Sequence, residues 1–434
     1  MKRRVDIFLF VLFFSPALNA QDTLSLQQAL EIALQNNYGV QIARNDAAIA
    51  ANNNSAGNAG YLPSLSLSTT QSNNVNNTRQ EFFTGEVRQR DGAKSNALNA
   101  QAELNWTIFD GFSMFANADY LEALEKIGEV QARDALERTA ASVIVTYYDI
   151  VRRQRQLEVI REAIAISAQR KKLAEDRLGL GAGSRLEVLQ AQVDGNADSS
   201  ALLSEILAMT ESKAALNILM ARPAETEFLV SRTISVQPDL NYTAILEKAK
   251  NENPAVQLAR QNAYLAALDV RRTRSTYYPF LDLNAGYGYS RSQAEVGILK
   301  SNRSAGLTYG FTAGITIFDG FNARRQVRNA KLAQESRNLD VKFSEQETAG
   351  AVYTAWQSYS QSLRRAALDR QNLDAAKTSS DVALERYRLG TSSAIELRDA
   401  QQNYVEAQQR LLEALFEAKM AEVELLRLSG QLVK

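Results

Sequence analysis

The sequence predicts a mainly α-helical fold with a β-barrel part, written as two tandem repeats of a strand hairpin and very long coiled-coil helices. Three observations predict it. The six prolines of this 434-residue chain stand at 16, 63, 223, 238, 254 and 279, so residues 64–222 and 280–434 contain none. A proline inside a helix costs about 3 kcal/mol, and two free stretches of that length point to helices far longer than usual. Four motifs recur in the same order in the two halves, the signature of an internal repeat. Between them lie segments of about ten residues in which apolar and small polar residues alternate, the period of a strand.

The first twenty residues read as a targeting segment. Lys2, Arg3 and Arg4 precede an apolar run from Ile7 to Phe14, followed by Pro16 and the small residue Ala20. This is the layout of a secretory signal peptide, expected over 1–20. Its apolar run is shorter than the roughly 20 residues of a membrane-spanning helix. Removing it leaves a net charge of −2.

The repeats follow, expected over 21–222 and 241–434 with a linker over 223–240. Asn37-Tyr38-Gly39-Val40-Gln41-Ile42-Ala43-Arg44 returns as Asn253-Pro254-Ala255-Val256-Gln257-Leu258-Ala259-Arg260. Tyr61-Leu62-Pro63 returns as Tyr277-Tyr278-Pro279, and Thr107-Ile108-Phe109-Asp110-Gly111-Phe112 returns unchanged from Thr316 to Phe321. Gly181-Ala182-Gly183-Ser184-Arg185-Leu186-Glu187 matches Gly390-Thr391-Ser392-Ser393-Ala394-Ile395-Glu396.

Each repeat is expected to hold two strands, over about 62–70 and 98–109 in the first and about 279–290 and 305–318 in the second. In the second, Leu281, Leu283, Ala285, Tyr287 and Tyr289 alternate with Asp282, Asn284, Gly286 and Gly288. One apolar, aromatic face and one small, polar face suit lipid outside and water inside. A soluble sheet with one buried face alternates in the same way. The Asn-rich stretch Gln71–Ser95 is expected to be a long loop, and Arg291–Arg303 a shorter one. Four strands cannot close a barrel, so copies must share one; strand arithmetic allows a dimer of eight or a trimer of twelve.

The rest is helix. Long helices are expected over 113–178 and 322–389, each roughly 100 Å at 1.5 Å per residue. Leu136, Val143, Ile150, Leu157 and Ile164 recur every seven residues, a coiled-coil period; Val352, Tyr359, Ala366, Leu373 and Tyr387 keep it in the second copy, with Ser380 interrupting. This stripe reads as helix packing. After a Gly/Ser turn the chain returns in helices over 185–220 and 394–428. Shorter helices, near Gly39–Gly60 and Ala255–Thr276, precede the hairpins. A return helix and a short helix stacked end to end would match the long one.

Composition excludes much chemistry. Cys and His are both absent, and 49 basic side chains balance 49 acidic ones. Thiol catalysis, disulfides, the usual zinc sites and Ser-His-Asp hydrolysis are ruled out, and nothing supports nucleic-acid binding. No phosphate loop, metal cluster or catalytic carboxylate pair stands out, so neither an enzyme nor a cofactor is expected.

With the doubled Tyr-x-Pro, Phe-Asp-Gly-Phe and Gly-x-x-Ser-x-x-Glu landmarks, the chain resembles the TolC family of outer membrane efflux and secretion channels, over residues 24–432. The resemblance implies a homotrimer with a shared twelve-strand barrel in outer membrane lipid and a helical tunnel in the periplasm. It also implies docking to an inner-membrane pump through a periplasmic adaptor protein. Without Cys the chain looks like the non-lipidated members.

The resemblance places a periplasmic aperture at the two turns. Glu396 and Asp399 match two acidic positions of a ring lining it. Glu187 and Tyr387 match an acid and a tyrosine of the same constriction. The family's arginine there falls on Ser392. A plainer reading competes: Ser184-x-x-Glu187 and Ser393-x-x-Glu396 each fit a capping box. Asp399 lies too deep in its helix for that. Lys- and Glu-rich stretches such as Arg170–Arg177 read as solvated surface, and acids are expected to gather at the turn end. A periplasmic coiled-coil adaptor without a barrel is the alternative function.

Overall fold

The computed structural model describes residues 23–433; the signal peptide expected over 1–20 lies outside them. In chain order the elements of the first half are β1 (Thr23–Leu24), α1 (Leu26–Asn36), α2 (Tyr38–Asn53), α3 (Ala56–Ala59), β2 (Ser64–Glu81), β3 (Val87–Asp110), α4 (Ser113–Gly179) and α5 (Arg185–Leu219). The second half holds β4 (Leu229–Val230), α6 (Tyr242–Glu252), α7 (Pro254–Arg274), β5 (Phe280–Ala294), β6 (Ser301–Gly314), α8 (Asn322–Arg388) and α9 (Ala394–Leu428).

The helices form a wall. α4 and α8 are each 67 residues long. α4 packs against α5 over one part of its length and α2 over another; α8 packs against α9 and α7 in the same way. α7 and α9 also lie against α4, which joins the repeats. Val143, Ile150 and Leu157 of the heptad stripe are buried. Ser380, expected to interrupt the second stripe, is buried in it with Tyr359, Ala366 and Tyr387. A small hydroxyl lets the neighbouring helix approach, so the period continues through it.

One asparagine per repeat makes the end-to-end joint. The Asn37 Oδ1 caps α2 by accepting from the Val40 N–H at 3.2 Å, while its Nδ2 donates to the Leu219 carbonyl at the end of α5 at 2.9 Å. Asn253 does the same, accepting from the Ala255 N–H at 2.9 Å and donating to the Leu428 carbonyl at the end of α9 at 3.0 Å. One helix's unsatisfied N–H and the other's unsatisfied carbonyl are thus met by a single side chain. This is why an asparagine opens the first doubled motif.

The four long strands form one antiparallel sheet in the order β2-β3-β5-β6. Among the described residues β2 and β6 have no second neighbour, so the sheet has two open edges.

The expected strand limits are corrected. β2 and β3 run straight through the stretch expected to be a long loop, Gln71–Ser95, and turn only at Phe82–Glu86, where Gly85 has φ +81°. β3 pairs with β5 only up to Ser95, so residues 87–93 with their β2 partners project as a two-stranded ribbon. Apart from the buried Ala93, both of its faces meet water, so no apolar alternation marks it. β5 likewise runs on to Ala294. β6 spans Ser301–Gly314 instead of 305–318, because its partner begins at Phe280 and Gly314 is its last pairing. A bulge between Thr107 and Phe109 puts Phe109, not Ile108, opposite Leu281. The helices α1 and α6 were not expected at all.

The Asp-Gly-Phe motif turns strand into helix. Gly111 and Phe112 have φ of +71° and +70°, Gly320 and Phe321 +70° and +64°. The Asp110 and Asp319 carboxylates accept from the Met114 and Ala323 N–H groups at 3.0 and 2.6 Å, capping α4 and α8. The two glycines differ in surroundings. A Cβ on Gly111 would lie 2.5 Å from the Ser275 carbonyl oxygen, whereas on Gly320 it would meet nothing nearer than 3.8 Å. Alanine at either site costs about 1–2 kcal/mol through its left-handed backbone, and only Gly111→Ala adds a backbone clash. Thermal melts in detergent should therefore show G111A clearly less stable than G320A.

Candidate functional site

α4 and α8 end in tight left-handed turns. Gly181 and Gly390, at φ +73° and +75°, let the Ala182 and Thr391 N–H groups reach back to the carbonyls of Arg177 and Arg386, both at 2.9 Å. The chain then re-enters α5 and α9, whose first N–H groups are met by serines. The Ser184 Oγ accepts from the Glu187 N–H at 3.3 Å, and the Ser393 Oγ accepts from the Glu396 N–H at 3.1 Å. The capping reading holds for these serines. It does not account for the glutamates, whose carboxylates turn elsewhere.

Glu187 turns to Tyr387. The tyrosine hydroxyl donates to Glu187 Oε2 at 3.1 Å, linking α8 of the second repeat to α5 of the first. The ring is 1% exposed and packs against Ala383, Leu397 and Leu173. The Arg177 guanidinium lies over it, 4.6 Å from the centroid, and donates to the Tyr387 carbonyl at 2.9 Å. Burial, reinforced by the Glu187 carboxylate, pushes the phenol pKa above its ordinary value. The hydroxyl therefore keeps its proton at neutral pH and acts as the donor.

The other expected residues are more open. Glu396 pairs with Arg386 at 2.7 Å, both side chains about half exposed. An exposed pair of this kind contributes about 0–1 kcal/mol. Asp399 is exposed, with the Arg398 guanidinium 3.6 Å away. Ser392, which stands where the family's arginine is expected, bonds only within its own turn, its Oγ donating to the Ser393 carbonyl at 3.5 Å. Glu187 and Tyr387 are thus brought together, while Glu396 and Asp399 lie beside the turn without touching them. The expected gathering of acids is corrected as well: Arg177, Arg386 and Arg398 stand among them and balance their charge.

Sequence reasoning missed Arg170. It was expected on a solvated surface, yet it is 8% exposed. Its Nη2 donates to Asp194 Oδ2 on α5 at 2.5 Å and its Nη1 to Gln401 Oε1 on α9 at 3.4 Å. Burial pushes its pKa down, and the Asp194 carboxylate opposes that. A cavity of about 410 Å³ beside it is lined also by Ser167, Asp198 and Arg398. One signal was available: Arg170 and Arg177 are seven residues apart on α4, as Glu187 and Asp194 are on α5. Charges at heptad spacing on antiparallel partners mark a shared seam. Arg170→Ala leaves Asp194 without its partner and should destabilise the protein by about 3 kcal/mol, Asp194 being partly wet. Denaturant unfolding followed by circular dichroism reads this.

The sequence model of the outer membrane efflux protein family matches residues 29–222 and 245–431, one span for each repeat. The chain belongs to the outer membrane efflux protein family. Its place is accordingly the outer membrane, and its class is that of channels. The chain is 23% identical over 429 residues to the outer membrane efflux protein BepC of Brucella suis, covering 97% of this chain and 89% of that one. It is 22% identical over 422 residues to the alkaline protease secretion protein AprF of Pseudomonas aeruginosa, covering 96% and 86%. The fold matches the CmeC outer membrane channel of Campylobacter jejuni with a TM-score of 0.80 over 94% of this chain and 85% of that one, at 17% identity. Efflux family relatives thus share both the sequence pattern and the hairpin-and-rod architecture.

Proposed function

We propose that three copies of this chain close one twelve-strand barrel in the outer membrane and continue it as a helical tunnel into the periplasm. The assembly is a passive exit duct of a tripartite efflux or type I secretion system, without chemistry of its own. An inner-membrane pump supplies the energy, and a periplasmic adaptor protein joins pump and duct. The observation that carries this reading is the four-stranded sheet with two open edges and one apolar face. Leu67, Tyr309 and Phe311 on that face are 81%, 77% and 76% exposed in a single chain. A soluble scaffold would leave this patch in water, which isolated proteins rarely do. Lipid and neighbouring copies cover it in a shared barrel.

The turn end is the gate in this reading. Each chain's Tyr387–Glu187 bond, with Arg177 stacked on the ring, ties the coiled coil of α8 and α9 to that of α4 and α5 and holds the mouth closed. Opening separates these coiled coils, a shift between two packings. Glu396 and Asp399, repeated in three copies near the axis, give the mouth its preference for cations. The test is extraction from the membrane fraction with detergent, followed by addition to a planar bilayer. Discrete conductance steps support the duct; a protein soluble without detergent that yields no steps contradicts it.

A further inference from the structure

The outward, apolar face of the sheet ends in two arginines that the channel reading does not use. Its rows across the four strands can be read from the pairing. Leu65, Leu104, Ala285 and Tyr309 form one row; Leu67, Ala102, Tyr287 and Leu307 form the next; Thr69, Ala100, Tyr289 and Ala305 form the third. The fourth row is Gln71, Leu98, Arg291 and Arg303. The row above it is wholly polar: Asn73, Asn96, Gln293 and Ser301. Arg291 and Arg303 therefore stand side by side at the upper limit of the apolar band, on the end of the sheet away from the helices.

Residues directly opposite on antiparallel strands have Cβ atoms about 4.5–5.5 Å apart, and like charges there repel. Among the described residues nothing relieves this pair. Among the described residues neither arginine forms an ion pair or a side-chain hydrogen bond. The nearest acid in the sequence, Glu295, is held by Arg90 at 3.2 Å and by the Lys94 N–H at 3.0 Å. The strand that would lie beside β6 in a shared barrel is β2, which carries no charge from Ser64 to Thr78.

We propose that Arg291 and Arg303 form a site for the phosphate of an outer-leaflet glycolipid. The inference rests on the barrel reading, which turns this face to lipid. Two planar guanidinium groups at that spacing can each hold phosphate oxygens in a two-pronged contact. One dianionic phosphate removes the repulsion, and the apolar rows below receive the acyl chains. An arginine on a barrel's lipid face is tolerated near the interface and costly at the midplane, which fits a position at the end of the band.

The test uses the detergent-solubilised full-length protein and two probes: lipid A, a glycolipid with two phosphates, and the same lipid with both phosphates removed. Native mass spectrometry counts lipid bound per particle and the number of protein copies. Wild type should bind the phosphorylated probe at least about tenfold more tightly. Arg291→Ala with Arg303→Ala should abolish the preference, and R291K with R303K should keep part of it. Equal binding of both probes by wild type overturns the site without any variant. So does an unchanged preference in the double alanine protein at an unchanged copy number, and the channel reading then stands. A wild type that forms no multi-copy particle overturns the barrel reading instead.

Discussion

Tyr387→Phe is expected to open the channel mouth and raise its conductance in a planar bilayer severalfold. The substitution keeps the buried ring, its contacts with Leu173 and Leu397, and the Arg177 guanidinium above it. It removes one hydroxyl, and with it the 3.1 Å bond to Glu187. A hydrogen bond to a charged group contributes about 1.5–3 kcal/mol. Losing it in every copy of the assembly shifts the closed-to-open ratio by at least tenfold, roughly 1.4 kcal/mol per decade. Glu187→Gln should act in the same direction but less, because the amide oxygen still accepts a weaker bond. Arg177→Ala should act through the ring, which loses both its cation and the donor to its carbonyl. Unchanged conductance in Y387F would show that the tie between the repeats is not the closing contact.

The second large effect concerns ion preference. Neutralising the turn end with Glu396→Gln and Asp399→Asn should lower the cation-over-anion permeability ratio by about fivefold, a change of about 1 kcal/mol of the kind unit charges exert at 4 Å in water. Block by divalent cations should weaken with it. The two acids are not equal. Glu396 is already paired with Arg386 at 2.7 Å, whereas Arg398 approaches Asp399 only to 3.6 Å. D399N alone should therefore have the larger effect. Arg386→Ala should strengthen the cation preference by releasing Glu396. Reversal potentials in a salt gradient measure each of these. If the double variant keeps its preference, the acids are surface charges and the ring assignment fails.

How far the fold could be read from sequence depended on whether a residue's surroundings repeat. Asn37 and Asn253 do the same job in the two repeats, and so do Asp110 and Asp319, so the doubled motifs located them. The strands next to the helices were legible because one face is apolar and the other is not. The ribbon formed by the ends of β2 and β3 was not, because water on both sides leaves Asn, Ser and Thr with no pattern that distinguishes strand from loop. α1 and α6, only 11 residues each, carry too few turns for a clear period. At the turn end, Glu187 stands in a doubled motif and Tyr387 in the heptad stripe, but only the resemblance put them in one constriction; nothing local says that one meets the other across 200 residues. Arg170 was missed because its long, charged side chain looks like surface, while its burial follows from two acceptors on two different helices, Asp194 and Gln401.

In the proposed assembly the open edges of the sheet, β2 and β6, meet the edges of other copies to close a barrel of three chains. The chain has no cysteine, so a pair placed by Leu67→Cys on β2 and Phe311→Cys on β6 is reactive only there. Membranes carrying this variant are treated with a short bis-maleimide cross-linker and resolved in denaturing gels. A ladder of one, two and three linked chains that stops at three is the expected result. A ladder that stops at two, runs past three, or shows only unlinked chains would contradict the shared twelve-strand barrel.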